Sequence, residues 1–124
     1  MAAQPVIYVI DDDDAVRDSL HMLLECHGFP VRTYASGAAF LRDEPPDESG
    51  CLLIDVDMPD MKGLDLLDQL RKRGVTIPAI VMTGGLTTTI PPSADRTEAR
   101  LVEKPFGAGE LIGCIETALG RCRA

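Results

Sequence analysis

The sequence predicts an α/β fold in which a doubly wound parallel sheet is covered by helices on both faces. Short apolar runs rich in β-branched residues alternate along the chain with segments whose apolar residues recur at helical spacing. Such alternation is typical of parallel sheets with crossover helices. A length of 124 residues suits one domain with one hydrophobic core, so we expect residues 1–124 to form a single unit.

The first strand and helix are predicted from an apolar run followed by a capping signal. Residues 6–10 are apolar and β-branched. Asp13 or Asp14 can cap the helix that follows, and Gly28 marks its end. Residues 29–34 then form a short second strand.

The middle of the chain repeats this pattern twice. Ser36 can cap a short helix over residues 37–42, which the Glu44-Pro45-Pro46-Asp47 sequence ends. Residues 51–55 form a third strand, and a third helix runs from about Gly63 to Gly74.

The last third of the chain breaks the alternation once. Residues 77–82 and 101–103 predict the fourth and fifth strands, and the apolar positions of residues 111–119 predict a final helix. Residues 85–98 lie where a fourth helix would be expected, but they contain three successive threonines and a Pro-Pro pair. We therefore predict a degenerate or missing fourth helix, with Ser93 able to cap one short turn.

Composition narrows the possible functions. A net charge of −8 and a pI near 4.6 argue against direct nucleic-acid binding, since phosphates need basic partners. An acidic cluster that binds a cation would offset part of this charge, although a plain acidic domain has the same composition. No apolar run reaches membrane-spanning length, and the N-terminus lacks a basic region before an apolar stretch, so we expect a cytoplasmic protein without membrane contact.

Polar residues follow several predicted strands at the point where each strand ends. They are Asp11 to Asp14 after the first strand, Asp55 as the last residue of the third, Thr83 after the fourth and Lys104 after the fifth. Ligands bind at the carboxyl ends of strands in open α/β sheets. Carboxylates and water suit a hard cation such as Mg²⁺ better than zinc or copper. Taken singly, Thr83 can be an ordinary strand-end residue and Lys104 a surface charge, and Asp13 and Asp14 fit a helix start.

Four motifs make the chain similar to a known family. The chain resembles the receiver domain of two-component response regulators in Val9-Ile-Asp-Asp-Asp13, Ile54-Asp-Val-Asp-Met-Pro-Asp-Met-Lys-Gly63, Met82-Thr-Gly84 and Glu103-Lys-Pro-Phe106. The sequences of these motifs are most similar to those of FixJ-type receivers. The resemblance covers nearly the whole chain except residues 85–100. It implies a flavodoxin-like, five-stranded parallel sheet in the order 2-1-3-4-5.

The resemblance also implies a phosphoryl-transfer site. Asp55 would be the phosphoacceptor, attacking the phosphohistidine of a sensor histidine kinase or a phosphotransfer protein. Asp12 and Asp55 would ligate Mg²⁺ with the backbone carbonyl of Asp57, and Asp11 would assist, through water. Thr83 would contact the phosphoryl group.

Lys104 would pair with Asp55 and then with its phosphate, aimed inward by a cis peptide before Pro105. The switched surface would act on a downstream protein or on an effector domain that is not present in this chain. The sequence leaves open whether the domain stands alone or is part of a longer regulator.

The chain departs from the family at two places. Leu101 stands where the family usually has an aromatic switch residue, and residues 85–98 replace the usual fourth helix, so we expect an altered output surface. Asp57 lies where side chains influence dephosphorylation in this family, although a solvated loop carboxylate is the simpler interpretation.

Two other functions compete with a phosphorylated receiver. Ile54-Asp-Val-Asp-Met also looks like the opening motif of haloacid-dehalogenase-type phosphatases, but there the nucleophile comes before the acidic pair, whereas here the acidic cluster comes first. A pseudo-receiver that only binds partners is the second alternative, and the intact acidic, threonine and lysine positions argue against it.

Overall fold

Strands and helices alternate from residue 7 to residue 83 as the sequence predicts. The computed structural model describes residues 5–43, 49–56, 58, 61–83, 100–103 and 107–120, the strand at 100–103 by its backbone alone. The elements, in chain order, are β1 (Ile7–Ile10), α1 (Asp14–Cys26), β2 (Val31–Tyr34), α2 (Gly37–Arg42), β3 (Cys51–Asp55), α3 (Gly63–Lys72), β4 (Ala79–Thr83), β5 (Arg100–Glu103) and α4 (Ala108–Ala118).

The strands pair in parallel, and the sheet order β2-β1-β3-β4 confirms the predicted order of the first four strands. Ile10 lies opposite Ile54, and Asp55 lies opposite Met82. The backbone of β5 pairs in parallel with β4, with Glu103 opposite Thr83. This register brings the carboxyl ends of the neighbouring strands to one edge of the sheet.

Two hydrophobic clusters lie on opposite faces of the sheet, which confirms the doubly wound arrangement. Alternate residues of each central strand enter different clusters because successive side chains of a strand point to opposite faces. Ile54 packs with residues of α2 and α3, such as Phe40 and Leu67. Leu53 packs with residues of α1 and α4, such as Leu24.

Helix boundaries follow the local capping chemistry. Asp13 is the residue that caps α1, because its carboxylate accepts hydrogen bonds from the backbone N–H groups of Ala15 and Val16. Ser36 caps α2 in the same way. Gly28 follows α1 with φ at +85°, a left-handed conformation that favours glycine. Within the described ranges, no helix is both long and apolar enough to cross a bilayer.

Several strand boundaries differ from the prediction by one or two residues. β2 begins at Val31 rather than residue 29, because Phe29 closes the turn after α1 by donating its N–H to the carbonyl of Leu24. β4 runs over Ala79–Thr83 and so includes Thr83, which the sequence placed just after the strand. Thr83 is therefore positioned by strand pairing.

Arg71 stabilises the turn between α3 and β4 by hydrogen bonds, and removal of its side chain is expected to destabilise the fold. Its Nη1 donates to the carbonyls of Val75 (3.1 Å) and Ile77 (2.8 Å). Hydrogen bonds from a charged donor contribute about 1.5–3 kcal/mol each, so loss of both in Arg71→Met should lower the free energy of unfolding by about 3 kcal/mol, the lower end of their sum. Denaturant unfolding measures this, and Arg73→Met, two residues on and exposed, should change it by less than about 0.5 kcal/mol. Equal losses in both variants would contradict the assignment.

Tyr34, at the end of β2, should make stability depend on alkaline pH. Burial raises the pKa of Tyr34, and the hydrogen bond that its hydroxyl donates to the Asp43 carboxylate (2.5 Å) raises it further. Since the folded phenol ionises at a higher pH than the unfolded one, its contribution is complete below about pH 10 and is lost as the pH rises through the folded-state pKa.

Tyr34→Phe should therefore lose less stability than the parent between about pH 9 and about pH 11.5. Urea unfolding of both proteins at the two pH values measures the difference. Tyr8 is present in both proteins and so cancels. Parallel pH profiles for the two proteins would contradict the role of Tyr34.

Candidate functional site at the carboxyl edge of the sheet

Asp11 is held at the end of β1 with no solvent exposure of its side chain. A buried carboxylate is costly unless hydrogen-bond donors or a cation satisfy it. One carboxylate oxygen of Asp11 accepts a hydrogen bond from the backbone N–H of Asp13 (2.9 Å). Its own backbone N–H donates to the carbonyl of Tyr34 on the neighbouring strand (3.1 Å). The position of Asp11 is therefore set from both sides.

Asp55 lies beside Asp11 because β1 and β3 are paired in register. It is the last residue of β3, and only 7% of its surface is exposed. Carboxylate oxygens of Asp11, Asp12 and Asp55 lie within 4.8 Å of one another. Asp12 is exposed, so the cluster opens to solvent on one side. A ligand can reach the cluster from that side.

The start of α3 is pressed against the backbone of Asp55. The N–H of Gly63 donates to the carbonyl of Val56 (3.0 Å), and the N–H of Val56 donates to the carbonyl of Met82 on β4 (2.9 Å). A Cβ atom at Gly63 would lie 2.4 Å from the carbonyl oxygen of Asp55. Glycine is therefore required here by the close approach of two backbones.

Thr83 ends the strand next to Asp55. It is 4% exposed, and the register places Asp55 opposite Met82, so Thr83 lies one residue beyond that pair. Lys104 and Asp57 lie outside the described residues, as do the side chain of Leu101, the peptide before Pro105 and residues 85–98. The structure thus brings together three of the predicted carboxylates and places Thr83 at the end of the adjacent strand.

The carboxylate cluster fits a hard divalent cation. Three negative charges within 4.8 Å repel one another in the absence of a counter-charge. Oxygen donors that include carboxylates and an open, solvated side match the preference of Mg²⁺, which keeps several water ligands. Neither cysteine nor histidine belongs to the group, which disfavours zinc.

One residue beside the site was missed by the sequence analysis. Arg17, on the first turn of α1, donates from Nη1 to the backbone carbonyl of Asp11 (2.6 Å). The available signal was its spacing: Arg17 follows Asp14 by three residues, so the two lie on the same helix face. The contact with Asp11 depends on the path of the chain before the helix, which spacing alone does not reveal.

Comparison with known proteins identifies the family. The family model described as the response regulator receiver domain matches residues 7–116. The chain is a response regulator receiver domain. The similarity to response regulator receivers is thereby confirmed, and neither the phosphatase nor the pseudo-receiver alternative is favoured.

Relatives of this receiver domain include a transcriptional regulatory protein and a response regulator protein. It is 43% identical over 116 residues to the transcriptional regulatory protein FixJ of Azorhizobium caulinodans, covering 93% of this chain and 55% of FixJ. It is 40% identical over 117 residues to the response regulator protein TodT of Pseudomonas putida, covering 92% of this chain and 51% of TodT. The chain spans about half the length of these relatives.

Solved structures show the same fold. The crystal structure of FixJ-N superimposes with a TM-score of 0.84 at 35% identity, covering 99% of both chains. The response regulator StyR superimposes with a TM-score of 0.89 at 34% identity, covering 95% of this chain and 60% of StyR. The flavodoxin-like α/β fold of the receiver domain is therefore established.

Proposed function

We propose that this receiver domain is a signalling phosphoacceptor in which Asp55 takes a phosphoryl group from the phosphohistidine of a sensor histidine kinase or a phosphotransfer protein. The observation that carries the proposal is the convergence of the Asp11, Asp12 and Asp55 carboxylates at the carboxyl edge of the sheet. Asp55 is the most suitable nucleophile of the three, because it ends a central strand and has limited but finite exposure. Asp11 has none.

Each side chain of the site has one proposed role. A carboxylate oxygen of Asp55 attacks phosphorus in line, the P–O bond forms as the P–N bond to histidine breaks, and the imidazole leaves with a proton. Thr83 contacts the transferred phosphoryl group. Lys104 pairs with Asp55 and afterwards with its phosphate.

The metal ligands are proposed to be Asp12, Asp55 and the backbone carbonyl of Asp57, with Asp11 acting through water. Mg²⁺ bound there supplies positive charge that reduces the repulsion between the nucleophile and the phosphoryl group. The domain thereby assists its own phosphorylation and dephosphorylation without being a conventional enzyme.

The finer features of the fold belong to the same proposal. We propose one receiver domain over residues 1–124, with a five-stranded sheet in the order 2-1-3-4-5. The helix that the family usually has between the fourth and fifth strands, its fourth helix, would be degenerate or missing at residues 85–98. The parallel pairing of β5 with β4 supports the strand order, and the threonine- and proline-rich composition supports the loss of the helix. Together with Leu101, this segment would give the domain an output surface that departs from the family's usual one.

The proposed setting is a cytoplasmic two-component system. Since the chain spans about half of FixJ and TodT, its state would be read by a downstream protein or by an effector domain outside residues 1–124. The net charge of −8 disfavours direct binding of nucleic acid by this domain.

Incubation with a small acyl phosphate tests the proposal. We expect intact mass to increase by one phosphoryl group in the presence of Mg²⁺ and not when the metal is chelated. Sustained hydrolysis of unrelated phosphomonoesters would instead favour a phosphatase. An unchanged mass at saturating donor and Mg²⁺ would favour a binding-only receiver.

A further inference from the structure

The guanidinium of Arg17 bridges the two ends of the turn that carries Asp12. Nη1 donates to the carbonyl of Asp11 (2.6 Å), and Nη2 pairs with the carboxylate of Asp14. Only 16% of the Arg17 side chain is exposed, against 86% for that of Asp14. A largely covered guanidinium with two defined acceptors is held in one geometry, because its planar fork offers donors in fixed directions.

The contacts fix the peptide planes on both sides of Asp12. The carbonyl of Asp11 belongs to the planar peptide that joins Asp11 to Asp12, and Arg17 holds that peptide. The N–H of Asp13 belongs to the next peptide, and the Asp11 carboxylate holds it (2.9 Å). The exposed Asp12 therefore projects from a backbone whose orientation is determined before any cation binds.

The charge of Arg17 by itself would oppose cation binding. A guanidinium near three carboxylates repels an approaching divalent cation. Arg17, however, donates to a carbonyl and not to a carboxylate of the cluster, and Asp14 compensates its charge. The arrangement leaves the carboxylate of Asp12 available and reduces the repulsion.

We propose that Arg17 is a positioning residue that presets Asp12 for Mg²⁺. This inference rests on the proposed function, since it requires Mg²⁺ at the carboxylate cluster. Positioning and charge make opposite predictions for removal of the side chain. Loss of positioning weakens Mg²⁺ binding, whereas loss of a repelling charge strengthens it.

Mg²⁺ titrations followed by backbone amide NMR test the proposal on the whole chain. Arg17→Met should raise the dissociation constant for Mg²⁺ about ten-fold, the lower end of the effect of groups that support metal ligands. Arg42→Met, which removes the same charge from an exposed position on α2, should leave it within about two-fold or lower it slightly. Arg17→Lys keeps the charge but cannot hold both acceptors as a fork, so we expect a loss of about three-fold.

A second readout uses the metal-free protein. In Arg17→Met the amide of Asp13 should exchange with solvent faster than in the parent, because the turn is no longer held. The amides of Leu20 and Leu24 should exchange at parent rates, which shows that α1 remains folded.

The outcomes distinguish failure of the positioning role of Arg17 from failure of the proposed function. If the parent binds Mg²⁺ and Asp12→Asn abolishes this, but folded Arg17→Met binds as tightly or more tightly, the role of Arg17 is overturned and the proposed function stands. If the parent shows no Asp12-dependent binding, both are overturned. Should Arg17→Met fail to fold, Arg17→Lys decides, and an affinity equal to that of the parent overturns the proposal.

Discussion

Asp55→Asn will take up no phosphoryl group from a small acyl phosphate under conditions in which the parent becomes singly phosphorylated. The amide of asparagine is neutral and a far weaker nucleophile than the carboxylate, so transfer should fall below detection. The change also removes one of the three clustered carboxylates, so Mg²⁺ should bind more weakly. Intact mass spectrometry measures uptake, and the amide titration described for Arg17 measures the metal.

A matched control separates the nucleophile from a general effect of charge. Asp68→Asn makes the same chemical change on α3, where Asp68 pairs only with an exposed lysine, Lys72, among the ion pairs described. Uptake there should equal that of the parent, since surface ion pairs contribute little. Phosphorylation of Asp55→Asn at the parent rate would show that another residue is the acceptor.

Gly63→Ala will lower the free energy of unfolding by about 3 kcal/mol, the upper part of the usual range for overpacking. The added Cβ would lie 2.4 Å from the carbonyl oxygen of Asp55 and 2.8 Å from a methyl carbon of Ile54. The nearest atom is backbone, so no side-chain rotation relieves the contact. Because α3 and β3 must separate to accept it, Asp55 should shift and phosphoryl uptake should slow. Denaturant unfolding and the uptake assay measure the two effects.

Gly113→Ala supplies the control of opposite sign. Gly113 lies inside α4, and among the described residues no atom beyond its own helix backbone and chain neighbours comes within 4 Å of a Cβ built there. Alanine is favoured over glycine in a helix interior by up to about 1 kcal/mol, so this variant should be more stable than the parent. A loss in both variants, or a gain in both, would contradict the close approach at Gly63.

Local sequence signals were sufficient for most elements of the fold. Apolar runs and helical periodicity depend on neighbouring residues, as do the capping by Ser36 and the stop at Gly28, and the structure confirms these features. The prediction left a choice open where two neighbouring residues could serve equally well as the helix cap. Asp13 and Asp14 can both cap α1, and the structure selects Asp13, leaving Asp14 to pair with Arg17. The predicted fourth strand ended one residue before Thr83, because pairing with a neighbouring strand decides where a strand ends.

The candidate site likewise has some features that the sequence predicts and others that it does not. The acidic residues at the carboxyl ends of β1 and β3 could be recognised from sequence, because a carboxylate at the end of a buried strand is costly without a partner. Their relative burial could not, since Asp11 is enclosed and Asp12 is exposed only once β1, β2 and β3 are aligned. The motif also does not show that Gly63 touches the backbone of Asp55.

The alternation of strands and helices, the family motifs and the residue types available for phosphoryl chemistry can all be read from the amino-acid sequence. Those properties are encoded within a few residues of each position. The folded chain is needed to see which carboxylate is buried, which is open to a cation, and that Arg17 reaches back across the turn to hold the peptide before Asp12. These depend on strand register and on the angle at which α1 leaves β1, which residues far apart in the chain set together.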